Sequence, residues 1–339
     1  MTAAAALLTF GASPPSLQTG LESYTAEKSL MGTVARITLY APNADRAVAG
    51  FRAAFDLLDA LDARLSDYRP ASELMSLSRW AGQGPVPVSP ELFEVLDLAR
   101  RIAAETGGAF DPTLGPLTRI WRRSRREGRL PEPEALERAR RLCGWRKLDL
   151  DPVRRTASLA TPGMQLDLGG IAKGYAADRA LELLRGMGLR QTLVVIGGEM
   201  AIGAPPPGRS GWRIAVGPEE TAGHPRRILR LSDCGVSTSG DLQQHLDVGN
   251  RRYSHILEPA SGKALTDAAT VTVVAPAAAL ADALATAFDV LGPALSQSIL
   301  EQRRGVRALW WKTGRARRRA GAPAPVLGRP AAAPFHPSR

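Results

Sequence analysis

Cysteine is scarce in this 339-residue chain, where Cys143 and Cys234 are the only two. Two cysteines exclude a disulfide framework and a cysteine-rich metal site, because both need more thiols. Long apolar runs are also missing, since none approaches the ~20 residues that a membrane-spanning helix requires. Hydrophobic residues nevertheless make up 44% of the sequence, which is enough to bury one large core or two modest ones.

Acidic residues are absent after Glu301, whereas ten Lys and Arg residues follow it and account for nearly all of the net charge of +11. Residues 313–339 are rich in Pro, Ala and Arg without an apolar period, which predicts a basic disordered tail. Most such tails are simply solvated, and contact with RNA or an anionic surface is the alternative. The chain up to Glu301 is close to neutral. We therefore expect no nucleic-acid partner, and we keep open a weak contact of the tail with an anionic surface.

The N-terminal residues 1–25 contain a short apolar run followed by small residues and prolines. No Lys or Arg precedes that run and no cysteine follows it, so it is a weak match to a secretory signal. We interpret the segment as a disordered leader or a degenerate export signal. It favours a periplasmic location, or a membrane-associated one on the exported side, and leaves a cytoplasmic location open.

The pattern of helices and strands predicts one folding unit. Residues 31–40 alternate as a strand does, and short strands dominate from about residue 145. No internal repeat or long linker divides the chain, so the sequence predicts a single α+β unit over residues 26–312, with a mixed β-sheet flanked by helices. The predicted helices cover 44–66, 89–108, 131–142, 171–189 and 277–292.

The stretch LDLGGIAKGY breaks from a strand into a helix through Gly169 and Gly170, which we call the glycine turn. Asp167 stands before the turn and Lys173 after it. Helix N-termini expose N–H groups and a positive dipole end, which bind phosphate readily. The spacing matches neither a P-loop nor a dinucleotide fingerprint, so a phosphate cradle and a plain turn both stay open.

Asp282 and Thr286 lie four residues apart in an Ala-rich segment, so they share one face of the predicted helix. Their apolar neighbours favour burial, and a buried carboxylate is costly without a partner. A hard cation such as Mg2+ takes oxygen ligands of this kind. The alternative is a solvent-facing Asp beside a Thr that is bonded back to its own helix.

His255 is one of four histidines and precedes a turn that contains Pro259 and Gly262. A histidine there is able to act as a general base, but a histidine bonded to the backbone at a strand end is as common. Three further turns, at 107–113, 196–200 and 237–241, contain glycine or small residues that let a ligand approach the backbone. Taken singly, they are ordinary.

The order of these motifs is more specific than any one of them. MGT, SDY, SEL and GGAFDPT come first, followed by LDLGGIAKGYAAD, VIGGE, STSGD, YSHILEP and VTVVAP with ADALATA. In this order they resemble the FAD:protein FMN transferase family (the ApbE-type flavin transferases). The resemblance covers about residues 30–311.

The resemblance implies an ApbE-like fold and Mg2+-dependent transfer of the FMN half of FAD to a Ser or Thr hydroxyl of an acceptor flavoprotein, with release of AMP. It implies that the Ala172 carbonyl and the side chains of Asp282 and Thr286 bind the metal. His255 is implied as the base, and Lys173 with the N–H groups of the glycine turn as the stabilisers of developing charge. The positions implied to contact FAD are Met31, Tyr68, Ala109, Phe110, Asp111, Gly169, Lys173, Tyr175 and Ile256.

Some positions depart from the family pattern. Glu199 stands where the family usually has Asp or Asn, Glu258 where it has Asp, and Ser78 where Asn is common. Two alternatives therefore stay open beside FMN transfer. One is an FAD pyrophosphatase that gives FMN and AMP by using water as the acceptor. The other is a non-catalytic FAD-binding protein.

Overall fold

A computed structural model describes residues 20–217, 227–240, 244–266 and 269–312. Residues 1–19 of the predicted leader and the whole predicted tail lie outside the described residues. The remaining end of the leader needs a correction, because a strand begins at Glu22. Its residues alternate too weakly in hydrophobicity to be recognised alone, and pairing with the next strand defines them.

Seven helices form in the described residues, and the local signals for several of them are visible. Asn43 and Ser89 cap two helices by accepting hydrogen bonds from Arg46 N and Leu92 N. The five predicted helices are confirmed, and α2 and α4 are additional. The helices are α1 (Ala44–Leu65), α2 (Glu73–Arg79), α3 (Pro90–Glu105), α4 (Gly115–Glu127), α5 (Pro133–Arg141), α6 (Ala172–Gly186) and α7 (Ala278–Gln302).

The strands of the described residues are mostly short. In chain order they are β1 (Glu22–Leu30), β2 (Thr33–Ala41), β3 (Val86–Pro87), β4 (Leu148–Asp151), β5 (Thr156–Leu159), β6 (Thr192–Ile196), β7 (Glu199–Ile202), β8 (Trp212–Val216), β9 (Arg227–Leu231), β10 (Cys234–Gly240), β11 (His245–Val248), β12 (Arg251–Ser254), β13 (Leu257–Glu258), β14 (Lys263–Ala264), β15 (Ala269–Ala275) and β16 (Arg307–Lys312).

The central sheet has seven strands in the order β1-β2-β6-β7-β10-β15-β16. The α+β class predicted from the sequence is confirmed. Every ladder that joins the described strands is antiparallel, and the parallel pairing in the described residues is an isolated bridge between Leu114 and Gln165, outside these strands. β1 and β16 are the two edges.

The two faces of the sheet pack differently. Val194 and Ile196 of β6 lie in the main core, where α1, α6 and α7 cover the sheet, whereas Leu193, directly before Val194, packs in a smaller cluster with β8 and β9. Side chains of a strand alternate between faces, which explains this division. A third cluster joins α4 to β11 and β13 through Leu117 and Trp121.

The helix α7 is, within the described ranges, the one whose length and apolar composition fit a membrane span. This corrects the expectation that no segment of the chain reaches that length. In the fold, Leu284 and Phe288 are fully buried in the main core, and the helix packs on β10 and β15. Its apolar composition is therefore that of a core helix, which breaks at Gly292 and Pro293.

Candidate active site

The glycine turn and α7 meet in space. Gly174 N donates a hydrogen bond to Asp282 Oδ2 over 3.1 Å, and a Cβ on Gly170 would stand 2.9 Å from Thr286 Oγ1. Asp282 is only 3% exposed, so the burial expected from its Ala-rich neighbours is confirmed. Ala172 is the first residue of α6, between these two contacts. The structure thus brings together the three positions predicted to bind a metal.

Thr286 is also bonded within its own helix, because its Oγ1 donates to the Asp282 carbonyl over 3.3 Å. This is the back-bonded arrangement that the spacing left open. A hydroxyl that donates in this way keeps its lone pairs for another partner. The side chain is therefore able to be a cation ligand without losing its present bond.

Lys173 lies between two buried carboxylates. Its Nζ is 2.9 Å from Glu199 Oε1, and the charge of Asp282 also stabilises its protonated form, so its pKa is raised although burial opposes the rise. Burial raises the pKa of Asp282, and the Lys173 ammonium opposes that rise. Glu199 is 6% exposed and its Oε2 has no hydrogen-bond partner in the described structure. The cluster therefore carries an unsatisfied acceptor and more carboxylate than ammonium charge.

The glycine turn is not the open phosphate cradle that the motif suggested. Gly169 N donates to Asp167 Oδ1 over 2.7 Å, and Ala172 N donates to the Leu168 carbonyl over 2.8 Å. Gly174 N is taken by Asp282. The Gly169 N–H is thus occupied by a side chain of the same turn, and the predicted contact of the turn with phosphate stays a prediction.

The Ala109–Asp111 turn packs against the glycine turn, where a Cβ on Gly170 would lie 3.3 Å from the Phe110 ring. Asp111 is buried, and its oxygens accept hydrogen bonds from Thr113 N, Thr113 Oγ1 and Trp145 N over 2.8, 2.6 and 3.0 Å. Its carboxylate thus fixes its own loop.

Tyr68 follows α1 and is 68% exposed, with one face covered by the Arg122 guanidinium at 4.1 Å from the ring centroid. Arg122 lies on α4 and belongs to none of the motifs singled out in the sequence. Arg122 directly follows the buried Trp121, and this position in the helical pattern indicates the edge of the buried face of α4.

The other predicted FAD contacts are spread around this centre. Met31 has φ +51° in the turn between β1 and β2, and Ile256 is buried directly after His255. Tyr175 is buried in α6, and its hydroxyl donates to Glu94 of α3 over 2.6 Å. The Tyr175 hydroxyl is thus directed at α3 rather than at the open face of Tyr68.

His255 is half-buried after β12 and has its Nδ1 3.2 Å from the Gln244 carbonyl. A carbonyl only accepts, so Nδ1 carries the proton of the neutral ring and Nε2 keeps a lone pair. Burial, with the charges of Arg125 and Lys173, lowers the pKa of His255 to about 4. The backbone contact expected of a histidine at a strand end is confirmed, and the role of His255 as a general base stays a prediction.

Comparison with known proteins identifies relatives along most of the chain. The sequence model of the ApbE family matches residues 31–310. The FAD:protein FMN transferase of Treponema pallidum is 34% identical over 306 residues, which cover 86% of this chain and 84% of that protein. The enzyme of the same name from Salmonella typhimurium is 29% identical and covers 88% of both chains.

Solved structures agree with these sequence matches. The apo flavinyl transferase ApbE of Pseudomonas stutzeri superposes with a TM-score of 0.75 at 30% identity, covering 86% of this chain and 91% of that one. The flavin transferase ApbE of Vibrio cholerae gives a TM-score of 0.76 at 28% identity, with 86% and 93% covered.

Proposed function

Because this chain belongs to the ApbE family and is an FAD:protein FMN transferase, we propose that a divalent cation, Mg2+, assists its reaction. Asp282, Thr286 and the Ala172 carbonyl would hold the ion. The observation that carries this proposal is the contact of α7 with the glycine turn, where Gly174 N meets Asp282 and Gly170 meets Thr286. The ligands are all oxygens, the donor type that Mg2+ prefers.

The charge of the cluster supports a cation at this point. Asp282 and Glu199 are both buried, and Lys173 supplies a single compensating ammonium. Glu199 Oε2 is a buried acceptor without a partner, which is costly in the absence of a further donor or cation. In the described residues, no group of three or more His, Cys, Asp and Glu side chains is placed to hold a metal ion. The proposed set instead combines one carboxylate with a hydroxyl and a carbonyl.

The substrate side of the proposal rests on Lys173. A bound Mg2+ polarises phosphoryl oxygens and neutralises the charge that develops on a leaving phosphate. Lys173 adds a second positive charge beside Asp282, and Glu199 anchors it through the 2.9 Å ion pair. We infer that Lys173 binds the FAD pyrophosphate, since the N–H of Gly169 is already occupied.

The acceptor is inferred to be a Ser or Thr hydroxyl of a flavoprotein. Its oxygen would form a bond to the FMN phosphorus while the pyrophosphate P–O bond breaks and AMP leaves. A hydroxyl is a weak nucleophile, so a base that takes its proton accelerates this step. His255 Nε2 carries the lone pair for that role, because Nδ1 faces the Gln244 carbonyl.

Asp282→Asn tests the cation site. The amide keeps the size of the side chain but removes its charge, so we expect FMN transfer in Mg2+ to fall by about 100-fold or more. Mn2+ binding, followed by electron paramagnetic resonance, should weaken in parallel. Transfer is measured by mass spectrometry of the acceptor, as an FMN-sized adduct on Ser or Thr, together with released AMP.

Glu301→Gln is the matched control, because it makes the same charge change near the exposed end of the same helix. It should leave both metal binding and transfer unchanged. An Asp282→Asn protein with normal Mn2+ affinity and normal Mg2+-dependent transfer would contradict the proposed site. Free FMN without an adduct on any acceptor would instead favour the pyrophosphatase alternative.

A further inference from the structure

Arg122 joins two parts of the site that are distant in the sequence. We propose that Arg122 is a positioning residue for FMN transfer, which holds the Tyr68 ring and the glycine turn in one arrangement before FAD binds. The proposal rests on the proposed function, in which both parts contact FAD. Arg122 belongs to α4, which contributes none of the residues predicted from the family resemblance.

The contacts of Arg122 reach both parts. Its Nη1 donates a hydrogen bond to Asp67 Oδ2, directly before Tyr68, and its Nη2 lies 3.6 Å from Asp167 Oδ2, two residues before Gly169 of the glycine turn. The three charged side chains are 20% exposed or less. Ion pairs that are shielded from solvent to this degree are weakened little by salt.

Asp167 connects Arg122 to the glycine turn. One of its oxygens faces Arg122 and the other accepts the hydrogen bond of Gly169 N over 2.7 Å. The Asp167 backbone N–H is bonded to the Pro112 carbonyl over 2.8 Å. The carboxylate is therefore fixed on both sides, and removal of Arg122 frees the oxygen that faces the guanidinium.

Arg122 also contacts the Tyr68 ring. The Arg122 guanidinium stacks on one face of the ring at 4.1 Å from its centroid, while the side chain as a whole stays 68% exposed. A ring held from behind by a cation, with its front open, is a preformed stacking surface for a flavin or adenine ring. Preformed surfaces bind more tightly because less side-chain entropy is lost on binding.

Arg122 also separates two carboxylates that repel each other. Burial and the charge of Asp167 raise the pKa of Asp67 to about 6, and Arg122 opposes that rise. A lysine is unable to replace these contacts, because only the planar guanidinium pairs with two carboxylates and stacks on a ring at once. The helix itself does not depend on Arg122, since Trp121 Nε1 anchors it to the Gly262 carbonyl over 2.9 Å.

The test compares Arg122→Lys with Arg123→Lys, which makes the same change on the exposed side of the same helix. FAD binding is measured by titration of flavin fluorescence in the presence of Mg2+, without acceptor. We expect Arg122→Lys to weaken FAD binding by about tenfold and to make the bound flavin more fluorescent, because a flavin stacked on tyrosine is quenched. Arg123→Lys should match the wild type in both.

A double-mutant cycle separates positioning from simple loss of structure. If Arg122 acts through the ring, Arg122→Lys should cost clearly less affinity when Tyr68→Ala is already present. Additive losses, or an Arg122→Lys protein with wild-type affinity and flavin emission, would overturn the inference. A wild-type protein that fails to bind FAD would instead overturn the proposed function, so the two failures are distinguishable.

Discussion

The His255 imidazole lies in a positive environment. Burial is the largest cause of its lowered pKa, and the nearby charges of Arg125 and Lys173 act in the same direction, while Asp167 and the Gln244 carbonyl oppose them. With a pKa of about 4, the ring is neutral at physiological pH. A neutral ring is the form that accepts a proton, but the same low pKa makes the ring a weaker base than an ordinary histidine.

The pH dependence of transfer should report this shift. At saturating Mg2+ we expect kcat/KM to rise with pH through about 4 and then to stay level through pH 6.5, because His255 has already lost its proton. Saturating Mg2+ is required because Asp282 also has a raised pKa and would otherwise add its own acidic limb. The measurement is a pH–rate profile with purified acceptor.

Arg125→Met provides the internal check on that profile. Removal of a nearby cation favours the protonated ring, so the acidic limb should move to higher pH. Arg126→Met, at the exposed neighbouring position, should move it much less. If the acidic limb of the wild-type pH–rate profile lay near the ordinary pKa of a histidine, His255 would not be the titrating base.

Individual residues of the site were predictable to different degrees. The burial of Asp282 followed from its Ala-rich helix, and the Nδ1 contact of His255 followed from its strand end. The engagement of Gly169 N by Asp167 did not, because a motif does not tell which N–H groups its own side chains occupy. The role of Glu199 also needed the fold, since β7 carries it to Lys173 of α6.

At the scale of elements, the contact of α6 with α7 sets the geometry of the proposed cation site. A Cβ on Gly174 would lie 2.4 Å from the Ala278 carbonyl oxygen, so the helices approach closely only because this residue is glycine. Asp178, one turn later, accepts hydrogen bonds from Ala278 N and Ala279 N over 2.8 Å each. These contacts fix where Asp282 stands along α6.

Gly174→Ala and Gly186→Ala should have opposite effects on stability. A methyl group at Gly174 would overlap backbone, which costs about 1–3 kcal/mol of unfolding free energy. At Gly186 nothing lies within 4 Å, so the substitution should stabilise the same helix by about 0.5–1 kcal/mol. Urea denaturation measures both.

The Gly174→Ala and Gly186→Ala variants should also differ in activity. Gly174→Ala displaces the N–H that holds Asp282, so we expect weaker Mn2+ binding and slower transfer, whereas Gly186→Ala should leave both unchanged. Equal stability of the two variants would mean that α6 and α7 do not depend on this close approach.

Elements were easier to predict than their arrangement. Periodicity and caps were sufficient for α1, α3 and α5, because these signals are local. β1 was missed, since its polar sequence is typical of a strand only when it is paired with β2. The sheet order also escapes local signals, because β6 joins β2 and β16 joins β15 across long stretches of sequence.

At the scale of the whole molecule, β16 completes the central sheet. Among the described strands it pairs with β15 alone, and it contributes the buried Trp310 and Trp311 to two different cores. The Trp310 ring lies 6.0 Å from that of Phe288 on α7, so the edge strand supports the helix that carries Asp282. The last described residue of the chain, Lys312, ends this strand.

Two truncations therefore have contrasting expected outcomes. A chain that ends at Lys312 lacks only the basic segment 313–339, and it should keep wild-type stability and FMN transfer to a purified acceptor. A chain that ends at Val306 also loses β16, which exposes the β15 edge and removes both tryptophans from their cores. Exposed strand edges pair with other chains, so this protein should aggregate and lose transfer.

Size-exclusion chromatography, urea denaturation and the acceptor adduct assay measure the two truncated chains side by side. Normal transfer by the chain ending at Val306 would contradict the structural role of β16. Loss of transfer by the chain ending at Lys312, at unchanged stability, would assign the basic segment to acceptor binding. Because that binding would be electrostatic, raising the salt concentration should then slow the full-length protein toward the truncated one.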